Sequence, residues 1–319
     1  MGAVDAHTDA HRGAAATGYR HAALMYAGRQ EFVRRTTSFI RSGVALDEPT
    51  LVVVADEKID LLRRELRGDA AKVAFADMHN VGANPALIIP AWQEFIAAHP
   101  GRRLRGIGEP IDPERGAAEL VECQHHERLL NLAFADSKLF LVCPYDTSAL
   151  APEVIAEARR SHPLIGDHEP QHCNGYVGDE NACALLAEPL PEPGVTSACV
   201  RFELDDLAAV RDLVARMCDG AGLAPPRSQD LGFTVNELMT NSVSHGGGEG
   251  TLRVWRKPGE LICEVRDRGT IDDPMAGRRR PSAESGGGYG LWLANQLCDL
   301  VQLRTGPAGS TVRVHVRTG

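Results

Sequence analysis

Three short pieces in the last third of the chain carry side chains that could act together. In Glu237-Leu-Met-Thr-Asn241-Ser-Val-Ser-His245 a carboxylate, an amide and an imidazole recur at i, i+4 and i+8, so they share one face of a helix. Such a row can serve a hydrated Mg²⁺ and a phosphate chain, because magnesium prefers oxygen ligands and keeps several of its waters. The second piece, Asp267-Arg-Gly269, directly follows a strand-like run at 261–266. A carboxylate at a strand end can accept the exocyclic amine of a base, and a neighbouring glycine lets that base approach the backbone. The third, Gly286-Gly-Gly-Tyr-Gly290-Leu291, leads into a helical pattern, where backbone N–H groups and a helix N-terminus can meet phosphates.

In this order and spacing the three pieces resemble the N, G1 and G2 boxes of the GHKL ATPases, specifically the anti-sigma-factor serine kinase branch, over about residues 196–317. The resemblance implies a Bergerat-type α+β sandwich binding ATP and Mg²⁺. It makes Asn241 the Mg²⁺ residue and Glu237 the general base, and has Asp267 beside Gly269 read the adenine amino group. Gly288 and Gly290 would then border the nucleotide lid, and Gly286 and Leu291 would join them in binding the nucleotide. His245 serves either as a phosphate contact or as a cap of its helix, since Gly246-Gly-Gly248 follows at once. The family's G1 box usually reads D-x-G-x-G, and here Ile271 stands at the second glycine. Arg278-Arg-Arg280 reads as a solvated charge run rather than a phosphate contact. A proline-rich segment, not a long dimerising helix with an accepting histidine, precedes this domain. Phosphoryl transfer to Ser or Thr of a separate protein is therefore expected, with nucleotide-dependent binding without transfer, or a ligand or metal sensor, as the alternatives. The partners implied are a sigma factor and an anti-sigma-factor antagonist.

Toward the other end, His21-Ala-Ala-Leu-Met-Tyr26, Gly106-Ile-Gly-Glu-Pro110, Glu122 with Glu127 and Asn131, and Cys143-Pro-Tyr-Asp146 resemble the MEDS sensory domain over about residues 19–177. That implies an α/β module, related in outline to RecA-like folds, that senses a ligand. No G-x-x-x-x-G-K-[ST] pattern occurs, so this half is not expected to hold ATP in the P-loop manner. Ligands of parallel sheets bind beyond the carboxyl ends of the strands, which makes Glu109, Tyr145 and Asp146 the candidates for a small sensory ligand. Glu109, preceding Pro110, could instead cap the following segment. His162, His168, His172 and Cys173 fall close together, as do Cys123, His125 and His126, but neither spacing matches a standard zinc site.

The elements that must position these residues follow from periodicity. Short apolar runs at 51–55, 72–75, 103–107 and 139–143 alternate with helical patterns at 29–41, 57–66, 86–98 and 113–134, which predicts a parallel α/β sheet. Prolines interrupt residues 161–196, ending in Glu188-Pro-Leu-Pro-Glu-Pro-Gly194. Beyond lie strands at 198–202, 250–256, 260–266, 301–305 and 310–317 and helices at 205–221, 227–244 and 289–300, grouped as in an α+β sandwich. The expected organisation is a mobile tail at 1–18, a sensory domain at 19–187, a linker at 188–195 and an ATP-binding domain at 196–319.

Composition bounds the function. The 319 residues are 43% hydrophobic and 24% charged, ordinary for folded chains, with a formal net charge of −9, so no global basic field exists to hold a nucleic-acid backbone. No apolar run approaches the roughly 20 residues of a bilayer span. Residues 1–18 lack the layout of a secretory signal, and the eight cysteines include no CxxC pair, which together point to a reduced, cytoplasmic protein with room for a homodimer.

Overall fold

The computed structural model describes residues 18–178, 182–281 and 288–318. The chain divides into two compact units: residues 1–80, 92–114 and 130–178, and residues 81–91, 115–129 and 179–319.

The first unit carries a seven-stranded sheet. Its strands are β1 (Arg20–Tyr26), β2 (Thr50–Val54), β3 (Val73–Asp77), β4 (Leu104–Gly108), β5 (Leu139–Asp146), β6 (Leu164–Ile165) and β7 (Gln171–His172), in the order β3-β2-β4-β5-β1-β6-β7. All pairings are parallel except β6 with β7. The strand–helix alternation expected along this part of the chain is present, with α1 (Gly28–Ala45), α2 (Asp56–Leu66), α4 (Ile88–Ala97), α5 (Ala117–Phe134) and α6 (Pro152–Ser161), of which residues 88–91 and 117–129 belong to the second unit; a one-turn α3 (Met78–Val81) follows β3. Parallel strands need such crossovers to return to the same edge. One face of the sheet packs Ala22, Leu24, Tyr26, Val52, Val54 and Val142 against Phe32, Phe39, Ile40 and Leu62 of α1 and α2. Side chains alternate along a strand, so His21, Ala23 and Cys143 lie on the opposite face. β1, read from sequence only as a motif beside strand ends, is itself a nearly central strand. The proline-interrupted stretch still contributes β6 and β7, because two residues of ladder suffice at a sheet edge and Pro163 and Pro170 flank rather than enter them.

The second unit is the α+β sandwich anticipated. An antiparallel sheet of β8 (Ala198–Phe202), β9 (Gly250–Lys257), β10 (Glu260–Asp267), β11 (Leu300–Gly306) and β12 (Gly309–Arg317) runs in the order β11-β12-β10-β9-β8. A short α7 (Ala184–Ala187) precedes it, and α8 (Leu207–Ala221), α9 (Pro225–His245) and α10 (Tyr289–Leu297) complete the unit. Leu252, Val254, Leu261, Cys263, Val265, Val312 and Val314 face Val214, Leu231, Val235 and Leu238 across one core. On the other face Glu264, fully buried, is gripped by Arg313 (2.6 Å) and Arg266 (2.7 Å). The proline-rich segment is tied to that same face. Arg313 donates to the Pro191 carbonyl oxygen (2.8 Å), and Glu192 pairs with Arg253 and Arg266, each at 2.6 Å. Those two hydrogen bonds hold the Glu192 carboxyl down at about 2.

Among the described residues no helix is long and apolar enough to cross a membrane.

Candidate functional site

Helix α9 begins with Pro225 at its first position, where a missing N–H costs nothing, and runs to His245. Its buried positions, Leu231, Val235, Leu238 and Ser242, recur at helical spacing and fix the face that meets the sheet. Asn241 therefore points along the edge of that face, half-buried, while His245 in the last turn is exposed. β10 delivers Asp267 at its carboxyl end beside Ser242. The Ser242 hydroxyl donates to Asp267 Oδ2 (2.6 Å), and the Gly269 N–H donates to Oδ1 (2.8 Å).

Three glycines make this approach possible. A Cβ on Gly246 would lie 2.4 Å from the Asp267 carboxyl carbon, and one on Gly269 would meet the His245 carbonyl oxygen and the Gly246 Cα, both at 2.9 Å. A Cβ on Gly290 would come within 2.8 Å of Asn241 Nδ2, so α10 seats its first turn directly on the Asn241 amide. Gly288 adopts a left-handed conformation (φ 90°) as the N-cap of α10, which glycine alone takes without strain.

Between these elements lies a cavity of about 210 Å³. Leu238, Val265, Ile271, Leu291 and Val312 supply apolar walls, and Asn241, Ser242, His245, Asp267, Gly269 and Gly288 supply the polar edge. Apolar walls with a single fixed carboxylate suit a planar heterocycle bearing an amine. Each carboxylate oxygen has a further lone pair beyond the donor it already accepts. Ser242, which orients that carboxylate, was not singled out by its type or spacing; its place on the buried stripe next to Asn241 was the available signal.

Asn241, His245, Asp267, Gly269, Gly288 and Leu291 thus come together around one cavity. Glu237 and Gly290 are not among its lining residues. Glu237 sits one turn before Asn241, and a Cβ on Gly290 would lie 3.6 Å from the Glu237 Cβ, so both border the same helix junction. Gly286 lies outside the described residues. Ile271 lines the cavity, and its N–H donates to Thr305 Oγ1 (3.0 Å).

Arg278 departs from the expected solvated run. It is buried, and with Arg304 it grips Glu122 of α5 at 3.1 and 2.9 Å, while Arg279 and Arg280 are exposed. The reason is charge balance. Burial alone would raise the Glu122 carboxyl, but His125 one turn on, together with Arg304 and Arg278, pulls it down to about 2. Burial lowers the His125 ring to about 4 despite the neighbouring carboxylate.

In the first unit, Glu109 follows β4 and Asp146 ends β5, at the carboxyl ends of the strands. Glu109 is buried and already partnered: Lys58 Nζ lies 2.7 Å from both of its oxygens, and the Tyr26 hydroxyl donates to Oε1 (2.7 Å). Burial raises the Glu109 carboxyl against the pull of Lys58. Asp146 accepts from the Ser148 hydroxyl (2.6 Å), the Ser148 N–H (2.9 Å) and the Gly28 N–H (3.2 Å), which outweigh its desolvation and hold it below the usual range. Tyr145 is buried edge-on against His162. The two histidine and cysteine runs do not converge as sets. His168 bonds Ser38 (2.8 Å), His172 bonds the Pro163 carbonyl oxygen (3.1 Å), and Cys173 donates to the Arg159 carbonyl oxygen (3.1 Å).

Comparison with known proteins finds a sensory domain and an ATPase domain in the expected order. Residues 20–163 match the family model of the MEthanogen/methylotroph, DcmR Sensory domain (MEDS), and residues 200–316 that of the histidine kinase-like ATPase domain. No curated protein matches the chain. Among solved structures, the crystal structure of the RsbU and RsbW domains of Rv1364c from Mycobacterium tuberculosis is 17% identical, covering 38% of this chain and 32% of that one with a TM-score of 0.29. The match thus spans about a third of that protein's length.

Proposed function

We propose that this chain, a sensory domain followed by a histidine-kinase-like ATPase domain, is an anti-sigma regulator that binds ATP with Mg²⁺ and phosphorylates Ser or Thr of an anti-sigma-factor antagonist. The observation that carries the reading is the cavity in which Asp267, fixed by Ser242 and the Gly269 N–H, stands as the charged acceptor at the edge of apolar walls. The residues fit the nucleotide. Asp267 accepts the adenine amine, Leu238 and Ile271 flank the ring, and the oxygen of Asn241 binds the magnesium ion. ATP supplies the transferable phosphoryl group. The chain's own part is to orient it and to take the proton of the incoming hydroxyl on Glu237.

Calorimetry with Mg²⁺ and ATP tests the binding, and incubation with labelled ATP and candidate antagonists tests the transfer. A sigma factor is the second partner of this reading, and a small-molecule ligand near Glu109, Tyr145 and Asp146 its input. The placement of Glu237 off the cavity lining favours one alternative, a switch in which nucleotide orders the lid without transfer. Magnesium-dependent binding with no labelled antagonist would select it.

A further inference from the structure

We propose that the first unit holds a late-transition divalent metal, Zn²⁺, on His21, Cys143 and His162. These residues are far apart in sequence, and only His162 belongs to one of the two runs that sequence spacing brings forward. His21 stands on β1 and Cys143 on the adjacent β5, on the same face, since Ala23 and Cys143 are register partners. His162 caps α6 as the chain turns into β6, which pairs with β1 on its other side. All three are buried, and their donor atoms lie within 4.8 Å of one another.

The tautomers point the same way. Asn131 Nδ2 donates to the Ser161 carbonyl oxygen (2.9 Å), so Asn131 Oδ1 faces His21 and accepts from Nδ1 (2.9 Å). His162 Nδ1 lies 2.8 Å from the Ala158 carbonyl oxygen, which can only accept. Both rings therefore carry their proton on Nδ1 and present the Nε2 lone pair. Donation of the second ring nitrogen to a carbonyl-type oxygen is the usual orienting contact of a metal-bound histidine. His21 Nε2 is 3.4 Å from Cys143 Sγ, and the two ring centroids are 4.0 Å apart. Zinc bonds of about 2.3 Å to sulfur and about 2.0 Å to nitrogen at a tetrahedral angle separate the two donors by roughly 3.5 Å. A thiolate with two imidazoles suits zinc, copper or cobalt and disfavours Mg²⁺ and Ca²⁺.

Binding forms one metal–sulfur and two metal–nitrogen bonds and releases the Cys143 thiol proton to solvent, with no change of oxidation state. Three protein ligands leave the fourth tetrahedral position to a water. Nothing in this inference depends on nucleotide binding in the second unit.

The test uses the full chain, stripped with a chelator and titrated with Co²⁺ alone, then with Zn²⁺. One equivalent of Co²⁺ is expected to give a thiolate-to-cobalt charge-transfer band that Zn²⁺ bleaches and Cys143→Ser removes. Asn131→Ala should weaken the metal about 10- to 100-fold, with Asn131→Asp restoring it through the retained acceptor, and His162→Gln should weaken it further. His172→Ala should change nothing. Absence of the band in the wild-type protein overturns the proposal, as does a band that survives Cys143→Ser or is lost in His172→Ala. Should Cys143→Ser fail to fold, the wild-type spectrum and the Asn131 pair still decide.

Discussion

Asp267 in the second unit and Glu109 in the first are both carboxylates at or just past a strand's carboxyl end, and they differ in what holds them. Asp267 is half-buried and accepts from a hydroxyl and a backbone N–H, neutral donors that orient the group and leave its charge available. Glu109 is buried against the Lys58 ammonium, which sits 2.7 Å from both of its oxygens and cancels that charge. A strand-end carboxylate can recruit a ligand when neutral dipoles fix it beside open space; paired with an ammonium in a dry site, it does structural work instead. Glu122 belongs with Glu109 in this respect, since two guanidinium groups consume its charge.

The largest effect that sharpens the contrast is on chemistry. Glu237→Ala should lower phosphorylation of an antagonist about 10²- to 10⁴-fold while nucleotide affinity, read by calorimetry, stays within error. Equal rates in mutant and wild type would move the base elsewhere.

Acid should reveal the structural role of Glu122. Glu122 is held at about 2 and His125 at about 4, both below their ordinary values, so in each case the unfolded chain binds the proton more readily. Stability should therefore fall with pH, first from about 6.5 to 4 through His125 and then from about 4.5 to 2 through Glu122, by about 3 kcal/mol for each group. Thermal unfolding across this range checks it, and His125→Gln should flatten the upper part of the profile.

Asp267→Ala should weaken ATP by about 1–3 kcal/mol, roughly 5- to 150-fold, because the adenine amine loses its acceptor in a dry slot. Circular dichroism should show an intact fold, and undiminished affinity would end the adenine assignment. Glu109→Gln should do the reverse. It should leave ATP affinity unchanged and reduce stability by about 1–2 kcal/mol, a modest loss because Lys58 is a quarter exposed and can turn to water. A loss of ATP affinity in Glu109→Gln would break the contrast.

Asn241 and His245 stand out by helical spacing, Asp267 by its strand-end position and Leu291 by the glycine-rich run before it, all local signals, and the cavity gathers all four. Ser242 was missed since its partner is 25 residues away in sequence. Arg278 was misread because a run of three arginines looks solvated until Glu122, 156 residues distant, is placed beside it.

The alternation of strands and helices in the first half, the grouped sandwich in the second, and the face shared by Glu237, Asn241 and His245 are written in the order of residues alone, since all follow from side-chain period within one element. That β1 lies between β5 and β6, and that His21 reaches Asn131 and Cys143, 110 and 122 residues on, emerges with the packed fold. The same holds for the burial of Glu109 against Lys58. Periodicity says which way a side chain faces, whereas its partner depends on which strand or helix packs against that face, a matter of the whole core minimising exposed apolar surface and unpaired polar groups.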